Sequence, residues 1–404
     1  MERIICLISA LATLSATAVP TVEITKVAQR WPWNNKLDIT YEVTGGQDVS
    51  QNLFRRLVFT AVIDGVTNVV DGVHDLGANA SDGVHTVTWT APSGHRTDNC
   101  TMSAALYPSG TPSGDDYMII NLETCEVSYE GLLSSQEASN QRYNDVWYKT
   151  TNMVFRKVAA GGPYRVGDQA TNLSNNTPTN RPTDRAYYIG IYPVTQWQYW
   201  KVFGSRPNSH VTDSENNISW YRPVTYVRWN DLRVAETKPD EDVPLVYSNT
   251  GTFLQRLNFI TGNKFGIDLP TEIMWEIAAR AGCTTPYYWG TDANSRNEYV
   301  VCSDNLGGSD TMEVGSCKSN DWGLYDVTGN VYEWCRDDSD LAQLADAPDP
   351  WTPSSNNNAN RRTRGGQAYN NAWNQLYFRV SYRSSTAPNQ WSHYIGFRLA
   401  WIVK

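Results

Sequence analysis

Apolar residues alternate with polar ones in short runs from Val22 to Tyr129, and beyond that point the alternation stops. A period of two places successive side chains on opposite faces of an extended chain, so each run marks a half-buried strand. The runs are Val22–Val27, Leu37–Val43, Leu57–Ile63, Val84–Trp89, Met102–Tyr107, Tyr117–Leu122 and Cys125–Tyr129. Gly77–Gly83 and Pro108–Asp116 are rich in Gly, Ser, Asp and Pro and read as loops. Short strands with turns between them predict an all-β sandwich over residues 19–130. Its histidines, His74, His85 and His95, are scattered and form no catalytic group.

The rest of the chain has another texture. Residues 131–150 are Ser-, Gln- and Asn-rich and read as a linker. A second domain over 151–404 follows, as a chain of 404 residues allows. Helical periodicity marks Val194–Phe203, the stretch around Phe253–Thr261, and most clearly Thr271–Ala281. There Pro270-Thr271-Glu272 is a start signal and Gly282 a stop, with Ile273, Trp275, Ile277 and Ala278 facing inward. Short strands and long loops dense in Trp, Asn and Gly fill the remainder.

Arg3, the apolar stretch Ile4–Leu14 and the small-residue pattern Ala16-Thr17-Ala18 read as a secretory signal peptide over residues 1–18. Its apolar part, roughly eleven residues, is too short to span a bilayer. No other stretch approaches membrane-span length, so the mature protein is expected to be soluble and exported, either periplasmic or secreted to the cell surface. Removal of Cys6 leaves Cys100, Cys125, Cys283, Cys302, Cys317 and Cys335, an even number that predicts disulfides in an exported chain. Cys100 and Cys125 are expected to pair, contributing about 3 kcal/mol. The other four allow three connectivities, of which Cys302–Cys317 with Cys283–Cys335 is favoured by proximity. No C-x-x-C spacing supports zinc. The net charge of −9 and the lack of a long basic run argue against nucleic acid.

Eight segments of the second half, in order, carry a resemblance. They are Tyr188–Thr195, Pro223–Asn230, Leu269–Glu276, Ala278–Gly282, Trp322–Asp326, Gly329–Trp334, Arg364–Gly366 and Ile395–Arg398. Together they resemble the formylglycine-generating enzyme family, also called the sulfatase-modifying factor domain, over roughly Thr151 to Lys404. The resemblance implies a loop-rich α+β fold of the C-type-lectin type. It also implies a calcium site on Asp326–Glu333, with the side chains of Asp326 and Glu333 and the carbonyls of Val327, Gly329 and Val331 as ligands. Oxygen ligands of this kind suit a hard cation. The alternative is that Asp326 and Glu333 cap loop amides with no ion. A second family site at Asn305 and Leu306 is followed here by a departing loop, Gly307–Met312.

The family's oxidase binds copper through two cysteines shortly after the Gly-Gly motif. Copper(I) needs soft thiolates, and no cysteine follows Cys335. Formylglycine generation and copper are therefore not expected. The three-histidine iron site of the related sulfoxide synthases also lacks its parts, because the second domain holds only His210 and His393. No G-x-S-x-G, P-loop or H-E-x-x-H motif is present.

The tail is the remaining candidate. Tyr369, Asn370, Asn371, Trp373, Asn374, Tyr377, Tyr382, Trp391, His393 and Tyr394 combine rigid aromatics with small polar groups, the mixture that binding paratopes use. Variable proteins of diversity-generating retroelements present such residues on this fold between Gly-Gly and Ile-Gly-Phe-Arg. An ordinary aromatic-packed loop would have the same composition. The sequence thus predicts an exported, non-catalytic binding protein with a calcium-stabilised lectin-like domain and an unknown glycan or protein ligand. A metal-dependent enzyme of unrecognised mechanism, a retroelement variable protein and a structural envelope component are the alternatives.

Overall fold

The structure, a computed structural model, describes residues 21–29, 36–44, 54–63, 66–69, 83–90, 100–109, 114–133, 135–168, 177–205, 220–234, 251–262, 264–306, 311–339, 350–351, 360–370 and 375–403. The chain divides into two units, residues 1–111 and 112–404.

The first unit contains β1 (Thr21–Gln29), β2 (Lys36–Thr44), β3 (Phe54–Ile63), β4 (Val66–Val69), β5 (Gly83–Thr90) and β6 (Cys100–Ser109). They form two three-stranded antiparallel sheets, in the orders β1-β2-β5 and β4-β3-β6. Period two is explicit in β2, where Leu37, Ile39, Tyr41 and Val43 are buried while Lys36, Glu42 and Thr44 are exposed. These side chains share one core with Ile24 and Trp89, and with Ala61 and Met102 of the other sheet. Strand β4 was not anticipated by the alternation.

The second unit opens earlier than the sequence pattern implied. Strands β7 (Tyr117–Asn121) and β8 (Val127–Glu130) belong to it. They extend a five-stranded sheet ordered β17-β12-β9-β7-β8, with β9 (Asn152–Val158), β12 (Tyr187–Gly190) and the C-terminal β17 (Ala400–Ile402). Residues 131–150 are not a linker. They carry helix α1 (Gln136–Tyr143) and a 3-10 turn at Val146–Lys149. Ser135 caps α1 by accepting the Ala138 amide. Buried Arg142 meets Glu130 at 2.8 Å, and the Tyr143 hydroxyl donates to the same carboxylate. Polar residues here hold the helix to the sheet, which the composition concealed.

Strands β10 (Gly161–Val166) and β11 (Thr179–Thr183) form a hairpin. A four-stranded sheet, ordered β15-β14-β13-β16, comprises β13 (Tyr332–Asp338), β14 (Arg361–Arg364), β15 (Arg383–Thr386) and β16 (Ile395–Gly396), with β13 and β16 parallel. Helices α2 (Gln196–Phe203), α3 (Trp229–Leu232), α4 (Phe253–Ile260) and α5 (Glu272–Arg280) complete the unit. Thr195 with Gln198 makes a capping box on α2, and Gly204 closes it in a left-handed conformation. One face of the five-stranded sheet packs Met118, Ile120, Met153 and Phe155 against Tyr199, Phe253, Leu254 and Leu257. Val158, Tyr187 and Ile189 join a second core built around α5. Few helices among mixed sheets and long loops make this an α+β, loop-rich unit. Among the described residues no helix is long and apolar enough to cross a membrane.

Among the described residues none of the expected disulfides is formed. Cys125, Cys283, Cys302, Cys317 and Cys335 are free thiols. Cys335 lies in the α5 core, Cys302 packs with Tyr287, Val300 and Phe378, and Cys317 packs near Val301, Leu306 and Ala368. Cys283 donates to the Tyr287 carbonyl at 3.2 Å. Cys317 packs beside Val301, the chain neighbour of Cys302, and the two thiols feel each other's charge, yet both remain free.

Candidate functional site

Helix α5 begins at Thr271, whose hydroxyl accepts the Met274 amide, and ends at Ala281 in the left-handed region. All nine of its residues are buried, including the three charged ones, Glu272, Glu276 and Arg280, that a one-sided reading would place outward. Glu272 and Glu276, one turn apart, are held by guanidinium groups. Arg383 grips Glu272 through two bonds of 2.7 and 2.6 Å, and Arg364 stands 3.5 Å away. Glu276 accepts from Arg280 Nε at 2.8 Å, from the Gly167 amide at 2.7 Å and from Arg364. Burial pushes the Glu272 carboxyl up, but Arg383, Arg364 and Arg362 outweigh it and bring it down to about 2. This frame fixes β14 and β15, and hence the start of the tail.

The Asp326–Glu333 loop lies beside it. Gly329 adopts a φ of +80°, and a Cβ there would come within 2.3 Å of the Val301 carbonyl oxygen, so only glycine fits. Asp326 is buried. Its Oδ2 accepts the Gly315 amide at 2.8 Å and its Oδ1 the Asn330 side-chain amide at 3.3 Å. Burial pushes its carboxyl up to about 6 against the pull of Gly315, Arg398, Asn330 and Lys149. The Val327 and Val331 carbonyl oxygens both approach Gly365, at 3.2 and 3.6 Å from where its Cβ would stand. Asp326 and these carbonyls match the donors a hard cation takes. Glu333 does not. Arg398 Nη2 donates to its Oε1 at 2.7 Å, while Arg398 Nε and Trp275 Nε1 both donate to Oε2 at 2.6 Å. Its charge is already balanced by a guanidinium. Among the described residues no three His, Cys, Asp or Glu side chains converge.

Seven of the ten tail residues singled out in the sequence are described, and they meet. Tyr369 packs edge-on to His393 with ring centres 5.2 Å apart, and His393 packs against Tyr394 at 4.8 Å. Tyr394 reaches Tyr332 at 6.3 Å, and Tyr382 and Tyr394 pack against the core that holds Tyr332. Tyr382 packs edge-on to Tyr377 at 5.0 Å. Trp391 joins through Tyr226, whose ring lies 5.2 Å from Trp391 and 6.3 Å from His393. Trp391 is 54% exposed and Tyr369 45%. Asn371, Trp373 and Asn374 lie outside the described residues.

Tyr226 and Tyr332 were not among the predicted site residues. Tyr226 precedes α3 with a φ of +58° and donates its amide to the Ser392 carbonyl, so a segment far away in sequence completes the surface. Tyr332 stood inside the loop motif read only for its oxygen ligands. Period-two register in β13 was the available signal, because it points Tyr332 away from Glu333.

The motif order, the α5 frame and this tail coincide with the family profile for a "sulfatase-modifying factor enzyme 1-like domain", which matches residues 148–403. The chain belongs to that family. A formylglycine-generating enzyme of Thermomonospora curvata is 29% identical over 233 residues, which cover 52% of this chain and 65% of that enzyme, just under two thirds of its length. The inactive C-alpha-formylglycine-generating enzyme 2 of Bos taurus is 25% identical over 292 residues, 62% of this chain and 88% of that protein. Among solved structures, Treponema denticola variable protein 1 superposes with a TM-score of 0.50 at 25% identity, over 62% of this chain and 95% of that one. The match to the sulfatase-modifying factor family starts after β7, β8 and α1, although these fold into the same unit.

Proposed function

We propose that this protein is a non-catalytic binding module that recognises a surface glycan or protein through the surface formed by Tyr226, Tyr369, Trp391 and His393. One observation carries the reading. Aromatic side chains drawn from separate loops converge into one connected group, and its two outermost rings remain open to solvent. Exposed rings beside polar groups provide contact area at low entropic cost. The likeness to a variable protein and to a family member named inactive supports the same reading. So does the lack of any cysteine after Cys335, where the family's oxidase carries its copper thiolates.

On this reading the chain is exported, its first unit is a β-sandwich and its second a lectin-like domain. Calcium supports the loop through Asp326 and the carbonyls of Val327, Gly329 and Val331, without Glu333. The test is a glycan array and a cell-surface pulldown with the full chain, each repeated with Trp391→Ala and Tyr369→Ala. Loss of binding in both variants is expected. Unchanged binding, or dioxygen consumption coupled to conversion of a peptide thiol, would reject the proposal, the latter in favour of an enzyme. A neighbouring reverse transcriptase gene with a near-copy of the tail codons differing at adenines would identify the binder as a retroelement variable protein.

A further inference from the structure

A cleft of about 880 Å3 opens between α1, the end of a 3-10 turn at Ala293–Glu298 with Tyr299, and the loop at 315–321. It shares no residue with the aromatic surface. One wall, α1, lies before the span matched by the family profile, so the cleft is not a feature of the matched residues alone.

Its framework is fixed by bonds that consume several of its amides. Gln136 Nε2 donates to the Tyr117 hydroxyl at 2.8 Å and to Asn140 Oδ1 at 2.9 Å. Asn140 Nδ2 donates across to Ser319 Oγ at 2.9 Å, tying the helix to the opposite loop. Gly323 permits this approach, since a Cβ there would come 2.5 Å from Gln136 Nε2 and 2.6 Å from Asn140 Oδ1. The Asn320 amide is committed to four backbone partners.

Other lining groups are not committed. Among the described residues the Asp321 carboxylate, the Tyr299 hydroxyl and the Asn297 side-chain N–H group have no hydrogen-bond partner, and Glu137 has only a 3.5 Å contact with Gln141. Lys318 and Glu298 neutralise each other at 2.5 Å. Glu137 and Asp321 therefore leave the cleft negative, which disfavours phosphate, sulfate and uronic acids. The Tyr299 ring is itself covered, stacked on Trp289 at 5.3 Å with Lys318 over it, so it offers its hydroxyl and not a face. Amides that both donate and accept, carboxylates that accept from neighbouring hydroxyls and a free phenol hydroxyl suit one ligand chemistry. The volume also lies within the usual range of about 300–1,000 Å3 for small-molecule sites.

We propose that this cleft binds a neutral oligosaccharide, independently of the aromatic surface, through Asp321, Asn297, Tyr299 and Glu137. The test is calorimetric titration of the full chain with maltotriose, cellotriose and triacetylchitotriose, and with trigalacturonate as the acidic comparison. At least one neutral trisaccharide should bind and trigalacturonate should not. Asp321→Asn and Glu137→Gln should each weaken binding about tenfold, the loss of one hydrogen bond to a charged group. Asp321 is exposed and makes no bond, so its variant keeps the fold. Trp391→Ala should leave the affinity unchanged, which separates this site from the aromatic surface. Failure of all three neutral sugars to bind, full affinity in Asp321→Asn, tighter binding of trigalacturonate, or loss of binding in Trp391→Ala would each overturn the proposal.

Discussion

Around Glu272 and Glu276 the carboxylates are held by buried guanidinium groups, whereas around Trp391 and Tyr369 the rings stand half in solvent with edges uncovered. The two regions adjoin: β14 ends in Arg364, and the tail begins at Gly365. The charged frame is a poor place for ligand chemistry, because a ligand would first have to displace its ion pairs. The aromatic surface makes fewer demands on folding and leaves its faces available. A loop-rich domain can thus hold an exposed aromatic surface in place by concentrating its bonding directly beneath it.

The sharpest way to break this contrast is to remove a guanidinium from the frame. Arg364 is fully buried, and it bonds Glu276 and the carbonyls of Ser381, Tyr382 and Val380. Arg364→Met leaves a buried carboxylate under-compensated and should cost about 3–5 kcal/mol of stability in a denaturant titration. A loss below about 1 kcal/mol would mean the frame is not what holds the tail. The same frame should govern acid stability. Glu272 is depressed from its ordinary 4.5 to about 2, so its contribution is fully present above 4.5 and lost as the pH falls through about 2. Glu272→Gln should remove that part of the slope between these values in a stability–pH profile. An unaltered slope would move the acid sensitivity to another carboxylate.

Calcium probes the boundary between the two regions. If Asp326 and the adjacent carbonyls hold the ion, calcium at one hundred times its Kd should stabilise the protein by about 2.7 kcal/mol. Asp326→Ala should abolish the calcium-dependent rise in Tm, while the wild type retains it. Equal shifts in both proteins would place any calcium elsewhere.

These predictions also show which features were legible in advance. The β2 pattern was, since Leu37, Ile39, Tyr41 and Val43 report burial through period two alone. Strand β7 was legible as a strand, but it is buried on both faces from Tyr117 to Ile120 and its pairing partner β9 lies beyond α1, a contact about which the local pattern carries no information. Helix α1 was hidden because its buried Arg142 and Tyr143 are satisfied by Glu130 and not by an apolar stripe. Tail composition announced the aromatic surface but not Tyr226, which depends on a distant backbone bond to Ser392. Glu333 was read as a ligand from its motif, and only the fold reveals Arg398 against it.

On the surface side, Trp391→Ala should cost binding about 2 kcal/mol while changing stability by about 0.5 kcal/mol. The separation matters because Trp391 is largely exposed and its ring partner is Tyr226, whereas a frame residue would move both quantities together. A stability loss as large as the binding loss would return Trp391 to an ordinary packing role.

The smallest effect, and the one that bears on the compartment, concerns the thiols. Cys125 is exposed, Cys283 and Cys317 are partly covered, and Cys302 and Cys335 are buried. Burial pushes the Cys317 thiol up to about 12 and raises Cys302 as well, so little thiolate forms at neutral pH. Iodoacetamide followed by peptide mapping should therefore mark Cys125 first, Cys317 more slowly and Cys335 only after denaturation. All five should label once the chain is unfolded without reductant. If Cys302 and Cys317 stay unlabelled until reductant is added, they are joined in the isolated protein, and the pairing expected from sequence proximity forms there.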